Sequence, residues 1–208
     1  MISKRETLFS LYHRFPYFTK ESLRVSANRF ELSENSLNAY IDLGLRSGQI
    51  ISLKRSYYVT REFYETHKTE TSYLFFLANA LVKSSYVSLE TALQYYGLFA
   101  EAVPYAVSSV TTGLPMHFKN RLGLYAYRNI TEKLFTDFKI EKKEFEFVIA
   151  LPHKAIFDYL YYYTRCFTKN VHPDILEDLR IDTDELPLSD KKKLLKLIVP
   201  FTSIIIRV

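Results

Sequence analysis

Asn35, Asn38 and Arg46 recur at intervals that, projected at about 100° per residue, share one side of a helix with Ala39 and Asp42. A carboxamide presents a donor and an acceptor side by side, and a guanidinium presents two parallel donors. The first matches the major-groove edge of adenine and the second that of guanine. Asp42 sits awkwardly on such a face, since phosphates would repel it. It is expected either to pair with Arg46 one turn on or to accept from a cytosine amine. Lys20, Arg24, Arg29, Lys54 and Arg55 are the cations suited to phosphate oxygens, contacts that fix register without reading sequence and weaken as salt rises. Taken singly, each is equally consistent with a solvated surface charge.

Such groups need a scaffold, and the first sixty residues carry the signals for one. Leu8, Leu11, Tyr12 and Phe15 are spaced to line one face of a first helix, with Lys4, Arg5 and Arg14 opposite. Thr19 is placed to cap a second helix, with Phe18 and Leu23 as its hydrophobic staple. Ser33 repeats the pattern with Leu32 and Leu37, so a third helix starts at about Glu34 and is stopped by Gly48. Its inward side is Leu37, Tyr40, Ile41 and Leu45. Ile50 to Leu53 and Tyr57 to Val59, rich in β-branched and aromatic residues, read as a hairpin around Lys54-Arg55-Ser56. Three helices followed by a cationic hairpin is the order of a winged helix-turn-helix, in which the third helix faces base edges. Residues 1–60 hold nine Lys or Arg against five Asp or Glu, and the remainder nineteen against eighteen, so most of the net +5 lies in this segment. A pI near 9.1 is compatible with a nucleic-acid partner.

At 208 residues the chain can hold one large domain or two small ones, and 48% hydrophobic with 25% charged residues marks a folded globular protein. The polar stretch 61–72 is the natural boundary. The expected organisation is α+β: a winged helix-turn-helix over residues 1–62, then a mixed α/β domain over 72–208. In the latter, Leu74, Leu77, Ala78, Leu81 and Val82 form a helical stripe. Ser88 is placed to cap a helix that runs through Tyr96 and ends at Gly97. Residues 106–112, 122–128 and 145–151 are strand candidates. Pro152 suits the first turn of a helix with Ile156, Tyr159, Leu160 and Tyr163 on its apolar face. Short helices are expected at 174–179 and, capped by Ser189, at 190–199. Seventeen Tyr and sixteen Phe imply aromatic-rich cores.

The same composition narrows the chemistry. One cysteine, Cys166, excludes an intrachain disulfide and a cysteine-rich zinc site, and its apolar surroundings predict an inert buried thiol. His13, His67, His117, His153 and His172 are scattered, and five glycines form no phosphate-cradling loop, so neither a metal nor a cofactor is expected. Asp137 with Glu141-Lys142-Lys143 superficially suggests a metal-dependent nuclease. The acids stand too close in sequence for that architecture, and the lysine run reads as a solvated turn, so no enzyme is expected. The start of the chain lacks an apolar signal core, and residues 194–208 are broken by Lys196, Pro200 and Arg207, short of the ~20 residues a bilayer needs. A cytoplasmic location with no membrane partner is expected.

Tyr86-Val87-Ser88-Leu89-Glu90-Thr91-Ala92-Leu93, with Tyr96-Gly97-Leu98 and Val103-Pro104 beyond it, resembles a stretch of the AbiEi-type antitoxins of type IV toxin–antitoxin (abortive infection) systems. Leu124 to Tyr127 falls at that family's second-domain strand, and Ala150-Leu151-Pro152-His153-Lys154-Ala155-Ile156-Phe157-Asp158 resembles one of its helix starts. Leu45 to Arg55, followed by Tyr57-Tyr58, is similar to its wing, with Ser56 where glycine is usual. The matched stretches span about residues 10–165, and the last forty residues match poorly. The resemblance implies an amino-terminal winged helix that binds inverted repeats in its own promoter and represses the operon. It also implies a second domain that antagonises a nucleotidyltransferase toxin without a stable complex. Ser88, Glu90, Tyr96, Lys154 and Asp158 are the motif residues of that domain. Each also has a local reading: Lys154 and Asp158 as an intrahelical pair, Ser88 and Glu90 as helix-start residues, and one of Tyr95 and Tyr96 turned from the core. Without the resemblance, the residues describe a two-domain basic protein that binds DNA. The alternatives are a stand-alone transcriptional regulator or an adaptor whose winged helix contacts protein.

Overall fold

The computed structural model describes residues 4–100, 107–184, 186–204 and 206–208. Val103-Pro104 and Ala106, the first residue of one expected strand, lie outside the described residues. The chain is mixed α+β and divides into two compact units, Met1–Leu74 with Phe118–Leu122, and Phe75–His117 with Gly123–Val208.

The first unit opens with α1 (Lys4–Ser10), β1 (Phe18–Thr19), α2 (Lys20–Asn28) and α3 (Glu34–Arg46). After Ser10 the chain winds through i→i+3 bonds, Tyr12 N to Phe9 O at 2.9 Å and Phe15 N to Tyr12 O at 3.0 Å. That tighter turn takes it off the 3.6-residue period. Leu8, Phe9 and Tyr12 are therefore buried, while Leu11 and Phe15, expected on the same face, are 45% and 52% exposed. Thr19 caps α2 in a reciprocal box: its Oγ1 accepts from Ser22 N (3.1 Å) and Ser22 Oγ accepts from Thr19 N (2.9 Å). Ser33 caps α3 by accepting from Ser36 N at 3.2 Å. Leu37 and Ile41 from α3 meet Leu8, Phe9, Phe18, Leu23 and Ala27 in one core, with Tyr40 and Leu45 half-buried at its margin.

A tight hairpin, β2 (Ile50–Lys54) and β3 (Tyr57–Thr60), completes a three-stranded antiparallel sheet in the order β1-β3-β2. Ser56, at its tip, has φ +65°, the left-handed conformation that glycine adopts without strain. Serine therefore takes up the turn directly. The polar stretch 61–72 is helical, forming α4 (Arg61–His67), capped by Thr60, and the start of α5 (Thr71–Leu81). Within the same unit, Tyr64 Oη donates to Arg121 O (3.3 Å) and Asn120 Nδ2 to Leu53 O (3.1 Å).

The second unit contains β4 (Ser85–Val87), α6 (Leu89–Tyr95), β5 (Val107–Thr111), β7 (Gly123–Asn129), β8 (Phe138–Glu141), β9 (Phe147–Ala150), α7 (Pro152–Tyr163), α8 (Ile175–Asp178) and α9 (Leu188–Ile198). With β6 (Met116–Asn120), the sheet order is β6-β7-β5-β4-β9-β8. β4 pairs parallel with β9 and β5 parallel with β7, while β4–β5 and β8–β9 are antiparallel. Helix α7 packs against α6 and α9. Three sequence expectations are corrected. Ser189 lies inside α9, whose N-cap is Pro187. Cys166 is exposed, beyond the end of α7 and with φ +60°, so it is no buried helical thiol. Tyr163, expected on the apolar face of α7, is 48% exposed because it occupies the last helical turn, while Ile156 and Leu160 are fully buried.

Candidate nucleic-acid interface

The hairpin tip, the start of α2 and the start of α3 are joined by short hydrogen bonds. Lys20 N donates to Ser56 O at 2.9 Å, tying the first residue of α2 to the turn that carries Arg55. Lys20 Nζ then reaches Glu34 Oε1 at 2.9 Å, at the first residue of α3. Arg24 grips the same carboxylate through both edges of its fork, Nε to Oε2 at 2.9 Å and Nη2 to Oε1 at 3.2 Å, and also contacts Glu21. The donated hydrogen bonds from Arg24 and then Lys20 hold the Glu34 carboxyl down at about 2. Arg24 is raised in turn, by Glu34 first and Glu21 next.

Beside this cluster the expected base-facing residues are open. Asn35, Asn38, Ala39, Asp42 and Arg46 are all exposed, along the side of α3 opposite buried Leu37 and Ile41. Asp42 and Arg46 form no ion pair among the described residues. Asn35 and Asn38 lie within the first turn and a half of α3. Arg46 lies about 12 Å beyond Asn38 along its axis, so it is not part of the cluster formed by Lys20, Arg24 and the tip. On the hairpin, Arg55 is exposed, while Lys54 folds over the Tyr57 ring at 4.3 Å from its centroid, and burial lowers its ammonium pKa. Tyr57 in turn stacks on Tyr17, with centroids 5.7 Å apart.

Two features of this face escape the sequence pattern. Glu34 reads locally as an acid at a helix start, favourable against the helix dipole. Its partners lie fourteen and ten residues earlier, so only the fold brings them together. Tyr57 reads as a strand residue, and its role as a platform for Lys54 follows from the strand bulge between Ser52 and Lys54.

Of the second-unit motif residues, Ser88, Lys154 and Asp158 converge in the core. Lys154 and Asp158 are both 0% exposed and form an ion pair, Nζ to Oδ1 at 2.5 Å, one turn apart on α7. Ser88 Oγ donates to Asp158 Oδ2 at 2.8 Å and Tyr86 Oη to the same oxygen at 3.0 Å. The Lys154 ammonium also lies 4.8 Å from the centroid of the Phe157 ring. Burial raises the Asp158 carboxyl while Lys154, Ser88 and Tyr86 pull it down; burial, then the Asp158 charge, raises the Tyr86 hydroxyl. Ser88 thus occupies the N-cap of α6 without a side-chain cap bond, its Oγ donating to Asp158 instead. Glu90 is half-buried in the first turn of α6. Tyr95 and Tyr96 are both half-buried, with their rings edge-on to each other at 5.3 Å: Tyr95 also packs edge-on against Phe75 and Phe147, and Tyr96 Oη donates to Ala150 O at 2.9 Å. Among the described residues, no helix is long and apolar enough to cross a membrane. No family model matches the chain, and no curated protein matches it.

Proposed function

We propose that this chain is a DNA-binding regulator whose first unit is a winged helix-turn-helix. In this reading α3 reads the major groove and the β2–β3 hairpin is the wing. The observation that carries the proposal is the joining of an exposed amide-bearing face on α3 to a cationic hairpin tip through Lys20, whose backbone N donates to Ser56 O and whose Nζ pairs with Glu34 at the start of α3. Asn35 and Asn38 supply adenine-type contacts and Lys54 and Arg55 phosphate contacts. The resemblance to AbiEi-type antitoxins extends the proposal. On that ground the chain represses its own operon at inverted repeats and antagonises a nucleotidyltransferase toxin without a lasting complex, in the cytoplasm. An adjoining nucleotidyltransferase reading frame supports this antitoxin role, and its absence favours a stand-alone regulator.

The test is gel-shift titration of the chain's own upstream duplex across a salt series. The wild type is expected to bind with log affinity falling linearly against log salt. Asn38→Ala should relax base preference by about 1–3 kcal/mol at one position, and Lys54→Ala should flatten the salt slope by about 1. Unaltered binding after both substitutions contradicts the contact assignment. Leu43, 45% exposed on α3, and Val25, 57% exposed on α2, favour a protein-binding adaptor instead. That reading predicts no salt-sensitive duplex binding and a partner recovered by pull-down.

A further inference from the structure

We propose that Glu34 is an internal substitute for a DNA phosphate, one that keeps Lys20 and Arg24 engaged until a specific site supplies the contacts to displace it. The inference rests on the DNA-binding reading above and concerns how that surface discriminates.

A bidentate carboxylate on an arginine fork has the geometry of a bidentate phosphate on the same fork. Here one carboxylate serves both cations: Glu34 spans Arg24 Nε, Arg24 Nη2 and Lys20 Nζ within 3.2 Å. Glu21 adds a further contact to Arg24. Two cations and two carboxylates sum to zero, so this cluster displaces no counterion condensed on DNA. The cluster is also within reach of a ligand, with side-chain exposures of 28% for Lys20, 41% for Arg24 and 45% for Glu34. Exposed pairs of this kind are weak enough to exchange.

Position supplies the selectivity. Glu34 immediately precedes Asn35 and lies one turn from Asn38 on α3. A duplex that satisfies those amides holds the start of α3 against the groove, where a phosphate can replace the Glu34 carboxylate on Lys20 and Arg24. A duplex that does not satisfy them meets a neutral edge. Glu34 thereby lowers affinity for DNA in general more than for the specific site.

Glu34→Gln keeps the shape and removes the charge. The test measures binding of wild type and E34Q to a short random-sequence duplex and to the chain's own upstream duplex across a salt series, with far-UV circular dichroism as the folding check. One uncompensated cation should steepen the salt slope on the random duplex by about 0.9, and E21Q/E34Q by about twice that. Affinity for the random duplex should rise roughly three- to tenfold at low salt, more than for the upstream duplex. Adding Lys20→Ala and Arg24→Ala should abolish the gain. Glu34→Ala is the second variant should the amide fail to fold. If the wild type binds DNA in a salt-dependent manner but neither variant binds the random duplex more tightly, Glu34 merely orders the cations and the inference is overturned alone. If no folded variant shows salt-dependent binding to either duplex, the DNA-binding reading fails and takes the inference with it.

Discussion

Lys154→Met is the sharpest test of how the second unit is held together. The substitution keeps the aliphatic stem and removes the ammonium from a site with 0% exposure, leaving Asp158 with two neutral donors, Ser88 Oγ and Tyr86 Oη. Removing one partner of a buried pair costs about 3–5 kcal/mol, because the remaining charge is desolvated without compensation. For a chain of this length that is a fall in melting temperature of roughly 10 °C. The chain has no tryptophan, so thermal melts are best followed by circular dichroism. The pH dependence gives the mechanism its own signature. Burial already raises the Asp158 carboxyl, and losing Lys154 raises it further. A carboxyl whose folded pKa exceeds its unfolded value binds the proton more readily in the native state, so stability increases as pH falls from the folded pKa toward the unfolded one. The penalty should therefore shrink from pH 8 to pH 5. Asp158→Ala should cost more than Lys154→Met, since it strands the ammonium and leaves two buried hydroxyls without their acceptor, at about 1–3 kcal/mol each. A Lys154→Met penalty below about 1 kcal/mol, or one constant across that pH range, would refute the reasoning.

Three further outcomes follow from single positions. Ser56→Gly should stabilise the chain by about 0.5–1 kcal/mol, since a left-handed conformation disfavours any residue with a Cβ, and an unchanged denaturation midpoint would show that serine sits there without strain. Gly44→Ala should destabilise by about 1–3 kcal/mol despite alanine's better helix propensity, because its Cβ would lie 2.7 Å from Phe9 Cε2 and 3.2 Å from Ile50 Cγ1 in a filled core; a rise in melting temperature counts against that packing. Glu34 should titrate at about 2 by carboxyl-resolved NMR, so the stabilisation from its pairs is fully present above about pH 4.5 and lost as pH falls through about 2. A midpoint near 4.5 would mean that Arg24 and Lys20 do not engage it.

Sequence reasoning worked where a signal and its partner lie within a few residues. Thr19 and Ser33 cap helices because each accepts from an amide three positions on, and the hairpin follows from strand propensity around the polar turn Arg55-Ser56. It failed where the outcome depends on distant partners. Ser88 looks like a cap in isolation, but its Oγ donates to Asp158, seventy residues later. Strand β8 went unread because Ile140 is 59% exposed and Phe138 39% exposed at the sheet edge, so no buried face alternates with a wet one. The first-helix stripe was misassigned for a different reason: the chain leaves the α-helical period after Ser10, and a projection at a fixed angle cannot follow it.

Two carboxylates, Asp158 and Glu34, each collect cationic and hydrogen-bonding partners, and exposure separates their roles. Asp158 is sealed among Lys154, Ser88 and Tyr86 with no path for a solute, so those motif residues specify the packing of α7 against β4 and the start of α6. Glu34 makes a comparable set of contacts at the surface, where water competes for the same donors. Lys154 and Asp158 at i,i+4 are indistinguishable in sequence from an exposed helix pair worth a few tenths of a kcal/mol. The fold raises that pair to a structural element and leaves the Glu34 pairs exchangeable. Contacts with a partner molecule are therefore to be sought on the α3 face and the hairpin tip, not among the buried motif residues of the second unit.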